Sequence, residues 1–257
     1  MSETDYAVEV TDLVKDFRVF KRRSGSLKGN VAALAKRVAK KEEPTPFTIR
    51  RALDGVSLRI GRGETVALIG RNGSGKSTLL SILSRVYLPT SGEARIRGRM
   101  MSLLELGAGF HQELTGNDNI LFNGTMMGLT EPEIVQRYDA ILDFAGLDPN
   151  TLDLPVRMYS SGMQLRLGFA IAVNLDADVL LIDEGLAVGD EGFQEKCFSK
   201  IEEFRDTGKT ILMVTHELDH VERLGQRVVW LNKGKIVMDG DVSDVLDAYR
   251  EDFKAGG

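Results

Sequence analysis

A glycine-rich stretch at residues 70–78, GRNGSGKST, constrains the fold of this chain more than any other feature of its sequence. It fits the pattern G-x-x-x-x-G-K-[ST], follows the apolar run TVALI and precedes the helix-forming run STLLSIL. In a strand–loop–helix unit of this kind, the glycines turn the loop so that successive backbone N–H groups point inward at phosphate oxygens. A chance glycine-rich turn needs neither flanking element. We call the stretch the phosphate loop, and it predicts a nucleotide-binding α/β protein.

Two side chains of the phosphate loop have a specific predicted chemistry. Lys76 would neutralise the β- and γ-phosphates of a nucleoside triphosphate, and the Ser77 hydroxyl would complete part of a Mg²⁺ shell. The other loop residues would surround the same phosphates. The predicted nucleotide-binding residues of the loop are Gly70, Arg71, Asn72, Gly73, Ser74, Gly75, Lys76, Ser77 and Thr78.

Two later apolar runs end in residues suited to phosphate chemistry. DVLLIDE, residues 178–184, predicts a buried strand that delivers Asp183 to its carboxyl end, where ligands bind in open α/β sheets. Asp183 would hold Mg²⁺ through water, and Glu184 would be the general base for the attacking water. TILMVTHE, residues 210–217, ends in His216, which could hydrogen-bond the γ-phosphate. Such residues are often only structural at a strand end, but their order after a phosphate loop favours catalytic roles for Glu184 and His216.

The segment YSSGMQLRLGFAIA, residues 159–172, predicts a second anion site far along the chain from the phosphate loop. Two serines and a glycine come directly before a helix-forming, mostly apolar run. The first-turn N–H groups of such a helix are unpaired, and the helix dipole favours negative charge beside them. The chain therefore carries two predicted phosphate-binding features. The motifs do not by themselves say which phosphate the second one binds.

Together these motifs resemble an ABC-type ATPase, and the resemblance covers nearly the whole chain. The phosphate loop, YSSGM, DVLLIDE, the loop AVGD at residues 187–190 and His216 occur in that family's order. The resemblance implies ATP and Mg²⁺ as cofactors. It also implies a homodimer of this chain with closed two-fold symmetry, in which the signature helix of one copy holds the nucleotide of the other. The residues implied at this dimer interface, which we call the seam, are Ser160, Ser161, Gly162 and Asp190.

The chain departs from the usual family pattern at two places. Signatures of the family usually read L-S-G-G-Q, whereas residues 159–163 of this chain read YSSGM. Most members also place a glutamine near Leu106, where it contacts Mg²⁺ and reports the nucleotide state to the membrane partner. In this chain Glu105 could reach the metal through water, or it could only pack at a strand end. Both interpretations of Glu105 stay open.

The family's adenine-stacking aromatic ring has several candidates here. Phe17 in VKDFRVF matches that position best, with Phe20 and Phe47 as alternatives. Each of the three could equally be a core residue of an edge strand.

A basic insertion is predicted at about residues 21–46. Lys21 and Lys41 bound a stretch with eight lysines or arginines and no acid, and its few apolar residues recur at helical spacing. A basic helix with an apolar stripe could lie on an anionic membrane or meet the pyrophosphate of a lipid-linked substrate. It could also pack on the edge of the domain.

Three longer segments resemble one branch of the family, the ATPases of bacterial polysaccharide exporters. They are LLELGAGFHQELTGNDNI, YSSGMQLRLGFA and DEGLAVGDEGFQEKC. That branch moves O-antigen, capsule, teichoic acid or related glycans, usually attached to a lipid carrier. The resemblance implies a membrane-embedded permease dimer as partner, a lipid-linked glycan as indirect substrate and a position on the cytoplasmic face of the bacterial inner membrane. The alternatives are an ABC transporter of a peptide, drug or lipid, a non-transport ABC ATPase, and a P-loop kinase.

Composition narrows the partners. The net charge of −5 argues against a general nucleic-acid binder, so no nucleic-acid partner is predicted. The single cysteine, Cys197, fits a reducing compartment, and the N-terminal residues lack the apolar core of a signal peptide. No apolar run reaches the ~18–20 residues that a membrane-spanning helix needs.

The order of strand-like and helix-like runs predicts an α/β core that carries a β-rich flank and a helical lobe, and the family resemblance implies one ABC ATPase domain over residues 1–257. Its fold class would be α/β, with a RecA-like core, an antiparallel β flank and an α-helical lobe. Some members of the exporter branch carry a further carbohydrate-binding domain. The sequence leaves no room for one after its last helix, so either the protein has no such domain or this sequence is a part of it that lacks the domain. The predicted parts are the flank and core at about 1–104 and 176–240, the lobe at about 105–175, the insertion at about 21–46 and the C-terminal helix at about 242–254.

Overall fold

A computed structural model describes residues 6–20, 47–103, 109–126, 128–174, 177–183 and 190–255. Its strands, in chain order, are β1 Tyr6–Phe20, β2 Phe47–Gly61, β3 Thr65–Ile69, β4 Ser91–Ile96, β5 Met100–Ser102, β6 Val179–Ile182, β7 Thr210–Val214, β8 Arg227–Asn232 and β9 Lys235–Gly240. Its α-helices are α1 Lys76–Leu83, α2 Gly116–Met126, α3 Glu131–Ala145, α4 Pro149–Leu152, α5 Ser161–Asn174, α6 Glu191–Asp206, α7 Leu218–Leu224 and α8 Val242–Ala255. The predicted basic insertion, Glu105 and Glu184 lie outside the described residues.

An antiparallel sheet forms the flank, with strand order β2-β1-β4. Along the second half of β2, Val56, Leu58 and Ile60 are buried, while the residues between them, Ser57 and Arg59, are exposed. This alternation shows that one face of the sheet packs on the core and the other faces solvent.

A six-stranded sheet forms the core, with strand order β5-β6-β7-β3-β8-β9. Its neighbouring strands are parallel except for the antiparallel pair β8 and β9. Every residue of β3, β6 and β7 is buried, because these central strands are covered on both faces. The carboxyl ends of these three strands therefore lie side by side at one edge of the sheet, with β7 in the middle.

Helices α2 to α5 lie in the sequence between β5 and β6, two strands that are neighbours in the core sheet. The run EPEIVQRYDAILDFAGL, whose apolar residues recur at helical spacing, contains α3. This helix begins at a capping box between Thr130 and Glu133 and is capped at its end by Gly146 in the left-handed conformation. These four helices lie within the predicted lobe at 105–175, and α8 lies where the C-terminal helix is predicted. The α/β class with an antiparallel flank and a helical region is confirmed. None of the helices within the described ranges combines the length and apolar character that crossing a membrane requires.

Candidate functional site

The phosphate loop connects the end of β3 to the start of α1 through backbone conformations that favour glycine. Gly73 and Gly75 have φ angles of 80° and 114°. A Cβ atom on Gly75 would also lie 2.7 Å from the carbonyl oxygen of Ala52, closer than real Cβ atoms come to backbone. The sequence pattern thus reflects a steric requirement of the loop, which wraps tightly against β2.

Lys76 places a buried ammonium group inside this loop. The residue is 5% exposed, and its Nζ donates a hydrogen bond to the carbonyl oxygen of Gly70 at 2.7 Å. No acid occupies the first turn of α1, so the positive end of the helix dipole is not offset there by a carboxylate of that turn. Ser74 adds a buried hydroxyl oxygen that has no hydrogen-bond partner among the described residues. This donor-rich, positively charged loop fits a phosphate chain.

A cleft of about 670 Å³ opens beside the phosphate loop, and we call it the nucleotide cleft. It brings one of the aromatic candidates, Phe17, to the loop. The Phe17 ring makes an edge-to-face contact with Tyr87, with ring centroids 5.4 Å apart. Phe47 lies instead beneath the guanidinium of Arg18, which is 5.1 Å from its ring centroid. The residues lining the nucleotide cleft are Phe17, Val19, Arg50, Arg51, Ala52, Asn72, Gly73, Ser74, Gly75, Lys76, Ser77 and Thr78.

Replacing Phe17 with Ala is expected to weaken ATP binding by about 10-fold, because stacking one base on an aromatic ring is worth about 1–3 kcal/mol. Binding of tripolyphosphate, which has no base, should not change. Isothermal titration calorimetry with both ligands measures the difference, and Phe47→Ala is the matched control. A loss of ATP affinity in Phe47→Ala equal to that in Phe17→Ala would contradict the assignment.

The sheet order brings two more predicted residues to the same edge. Asp183 follows β6 directly and is half-buried, and His216 follows β7 after the buried Thr215. The Thr215 hydroxyl accepts a hydrogen bond from the N–H of Glu217 at 3.0 Å, which shapes the turn that carries His216. His216 lines a second cleft, of about 640 Å³, together with Gly70 at the start of the phosphate loop.

The predicted second anion site lies at an exposed helix start. Helix α5 begins at Ser161, and the Ser160 hydroxyl accepts a hydrogen bond from the N–H of Met163 at 3.2 Å. Ser160 thus caps the helix of its own chain in this structure. Among the described residues, and apart from the backbone of the helix itself and the chain neighbours, a Cβ atom on Gly162 would have one atom within 4 Å, the Ser160 hydroxyl at 3.9 Å. The described surroundings of this helix start are therefore open. The buried Tyr159 anchors the segment, because its hydroxyl donates to the carbonyl of Thr151 at 2.8 Å.

Asp190 has a local role that sequence reasoning missed. Its side chain caps α6 by accepting a hydrogen bond from the N–H of Phe193 at 2.9 Å. It also pairs with the guanidinium of Arg166 on α5. Asp190 therefore ties the helix of the signature segment to the helix that follows the Asp183 strand. No sequence signal pointed to Arg166, since the pair joins distant parts of the chain.

The predicted Mg²⁺ ligands fit a metal that shares its shell with a nucleotide. Within the described ranges no group of three or more histidine, cysteine or carboxylate side chains is placed to hold a metal ion alone. Ser77 at the start of α1 and Asp183 at the end of β6 could supply one oxygen each. Mg²⁺ commonly completes its shell with waters and substrate phosphates, so two protein ligands are enough.

A glycine-bounded phosphate loop between a buried strand and a helix, with an acid at the end of a nearby strand, defines the class of P-loop nucleotide-binding proteins. The chain belongs to the ABC transporter family, whose model matches residues 53–187. This confirms the family predicted from the motifs and implies ATP as the nucleotide.

Curated relatives cover most of the chain. It is 45% identical over 251 residues, 98% of its length, to the O-antigen export system ATP-binding protein RfbB of Myxococcus xanthus, and spans 57% of that relative. An RfbB of Klebsiella pneumoniae is 45% identical over 78% of this chain and 81% of the relative. The teichoic acids export ATP-binding protein TagH of Levilactobacillus brevis is 40% identical over 97% of the chain and 66% of the relative. These names belong to the exporter branch that the sequence resembles.

Solved structures share the fold. A dimeric ATP-binding cassette in a post-hydrolysis state, bound to ADP and Pi, matches 91% of this chain and 98% of its own, with a TM-score of 0.70 and 21% identity. The ATP-binding subunit of an ABC transporter matches 95% of this chain and 93% of its own, with a TM-score of 0.73 and 23% identity. The predicted fold, an ABC-type nucleotide-binding domain, is confirmed.

Proposed function

We propose that this chain is the ATP-hydrolysing part of an exporter that moves a polysaccharide, carried on a lipid, across the cytoplasmic membrane. The observation that carries the proposal is the identity of 45% and 40%, over 98% and 97% of the chain, to relatives named for the export of O-antigen and of teichoic acids. The nucleotide cleft supports the ATPase part, because it joins a buried lysine, a glycine-shaped loop and an aromatic ring.

Within this proposal the residues at the sheet edge divide the work of hydrolysis. The loop N–H groups and Lys76 hold the β- and γ-phosphates, and Ser77 and Asp183 would hold Mg²⁺, which offsets charge on the transferred phosphoryl group. Glu184 accepts the proton of the attacking water, and His216 hydrogen-bonds the γ-phosphate. Glu105 would contact the metal through a water molecule.

A second copy of the chain completes the site. Ser160, Ser161 and the N–H of Gly162 reach the γ-phosphate held by the other copy, and Asp190 lies near the seam. The exposed start of α5 supports this role, since its open space can receive a phosphate that its own chain does not hold. Only the triphosphate reaches both surfaces, so ATP closes the dimer and hydrolysis reopens it.

A membrane-embedded permease dimer receives this motion through the region around residues 105–116, which places the protein peripherally on the cytoplasmic face. The described part of that region is joined to the segment before Tyr159. The N–H of Val156 donates to the carbonyl of Leu114 at 2.9 Å. The N–H of Arg157 donates to the carbonyl of Gln112 at 3.0 Å. A displacement of this loop by a partner would therefore pull on the start of α5.

Depletion of the protein in its native cell tests the proposal. We expect lipid-linked polymer to accumulate on the cytoplasmic side and to disappear from the surface, and fractionation of lipid-linked glycans measures both. The wild-type gene should restore export and a Glu184→Gln gene, made in equal amount, should not. Normal surface glycan without accumulation would contradict the polysaccharide cargo and leave the ATPase assignment standing.

A further inference from the structure

We propose that Arg50 is a further nucleotide-binding residue, whose guanidinium contacts the phosphate chain between the Phe17 ring and the phosphate loop. The proposal rests on the ATP-binding part of the proposed function and adds a residue that none of the sequence motifs contains. It follows from the pairing of β1 with β2, from the position of the guanidinium and from the charge balance of the nucleotide cleft.

Strand pairing puts Arg50 beside the aromatic candidate. Phe17 on β1 and Arg50 on β2 are direct partners in the antiparallel register. Directly opposed residues project from the same face of a sheet, with Cβ atoms about 5 Å apart. The two side chains therefore enter the nucleotide cleft together, and both line it.

The Arg50 guanidinium lies against the phosphate loop. Its Nη2 atom is 3.6 Å from the position that a Cβ atom on Gly73 would occupy. Gly73 stands in the middle of the loop, whose N–H groups surround the phosphates in the proposed function. An arginine at this distance from the loop backbone can reach an oxygen of the α- or β-phosphate, and its planar fork suits two parallel hydrogen bonds.

The neighbouring Arg51 provides an internal contrast. Its guanidinium pairs with Asp16 at 2.9 Å and with Asp54 at 2.9 Å, so its charge is neutralised by two acids of the flank sheet. For Arg50, no side-chain hydrogen bond or ion pair is found among the residues that the structure describes. The described residues lining the nucleotide cleft include no acid, so the Arg50 charge adds to that of Lys76. An anion is the ligand that the Arg50 charge favours at this position beside the phosphate loop.

Calorimetric titration of the full chain with Mg²⁺–ATP and with adenosine, at several salt concentrations, tests the proposal. Arg50→Gln is expected to weaken Mg²⁺–ATP binding by about 10-fold, because the loss of one hydrogen bond to a charged group lowers an affinity by about this factor. The variant should leave adenosine binding unchanged. It should also reduce the dependence of the ATP affinity on salt. Arg50→Lys should recover part of the loss, because it keeps the charge and loses the fork. Arg62→Gln, which removes the same charge at the exposed turn after β2, should bind ATP as the wild type does.

The outcomes separate this inference from the proposed function. Equal ATP affinity in Arg50→Gln and in the wild type would overturn the inference alone. An equal loss for ATP and adenosine would also overturn it, because the residue would then support the base or the local fold. A wild-type chain that binds no Mg²⁺–ATP would overturn the ATPase proposal as well. Circular dichroism of each variant confirms that the fold is kept.

Discussion

Replacing Glu184 with Gln is expected to lower the rate of ATP hydrolysis by roughly 10²–10⁴-fold while leaving ATP binding intact. The amide keeps the size of the side chain and cannot accept the proton of the attacking water. Glu184 lies outside the described residues, but it follows Asp183 and the buried strand β6 in the chain. That strand ends at the same sheet edge as the phosphate loop. Phosphate release in a single turnover, with calorimetric ATP binding in parallel, measures both parts of the expectation.

The same variant should accumulate as an ATP-bound dimer, because binding closes the dimer and hydrolysis no longer reopens it. Size-exclusion chromatography with and without ATP measures this state. Glu191→Gln, an exposed acid in the first turn of α6, is the control and should hydrolyse ATP at the wild-type rate. Turnover in Glu184→Gln close to that of the wild type would remove Glu184 from the role of general base.

Much of the core could be predicted from sequence because its signals are local. TVALI, VLLI and TILMV are short apolar runs bounded by polar residues or glycine, and each is a fully buried strand. The phosphate loop is recognisable for the same reason. Its backbone conformation and its close contact with β2 require glycines at positions only a few residues apart. Residues that follow these strands, such as Asp183 and His216, then come to one edge by the topology of a parallel sheet.

The remaining features of the site depend on contacts between distant parts of the chain. Arg50 stands opposite Phe17 only because of the register between β1 and β2, which residues 21–46 separate in sequence. The pair of Asp190 with Arg166 likewise needs the packing of α6 beside α5. Sequence alone left Phe17, Phe20 and Phe47 as candidates. Of Phe17 and Phe47, whose side chains the structure describes, the cleft places Phe17 beside the phosphate loop. Pairing of the two flank strands, had it been predicted residue by residue, would have pointed to Arg50.

Replacing Gly162 with Asp is expected to abolish ATP-dependent dimer formation and to lower turnover by roughly 10²–10³-fold, the effect of losing an oxyanion-binding donor. The new carboxylate would occupy the open space at the start of α5, where a γ-phosphate from the other copy would bind. The fold should tolerate it, because among the described residues outside the helix backbone just the Ser160 hydroxyl lies within 4 Å of the new Cβ position, and an acid favours a helix start. ATP binding by the single chain should be unchanged, since the phosphate loop is intact. Ser243→Asp, which adds the same charge at the exposed start of α8, is the control.

Mixing two inactive variants decides whether this contact is made within one chain or between two. In a dimer of one Lys76→Ala chain and one Gly162→Asp chain, trans contacts concentrate both defects in one site and leave the other intact. In an equal mixture half of the random encounters join unlike chains, and each such pair has one intact site of two, so activity should recover to about a quarter of the wild-type value. Contacts within one chain would leave a defect in every site, and the mixture would stay as inactive as its components. Recovery on mixing, measured as phosphate release, is therefore expected if the start of α5 binds the phosphate held by the other copy.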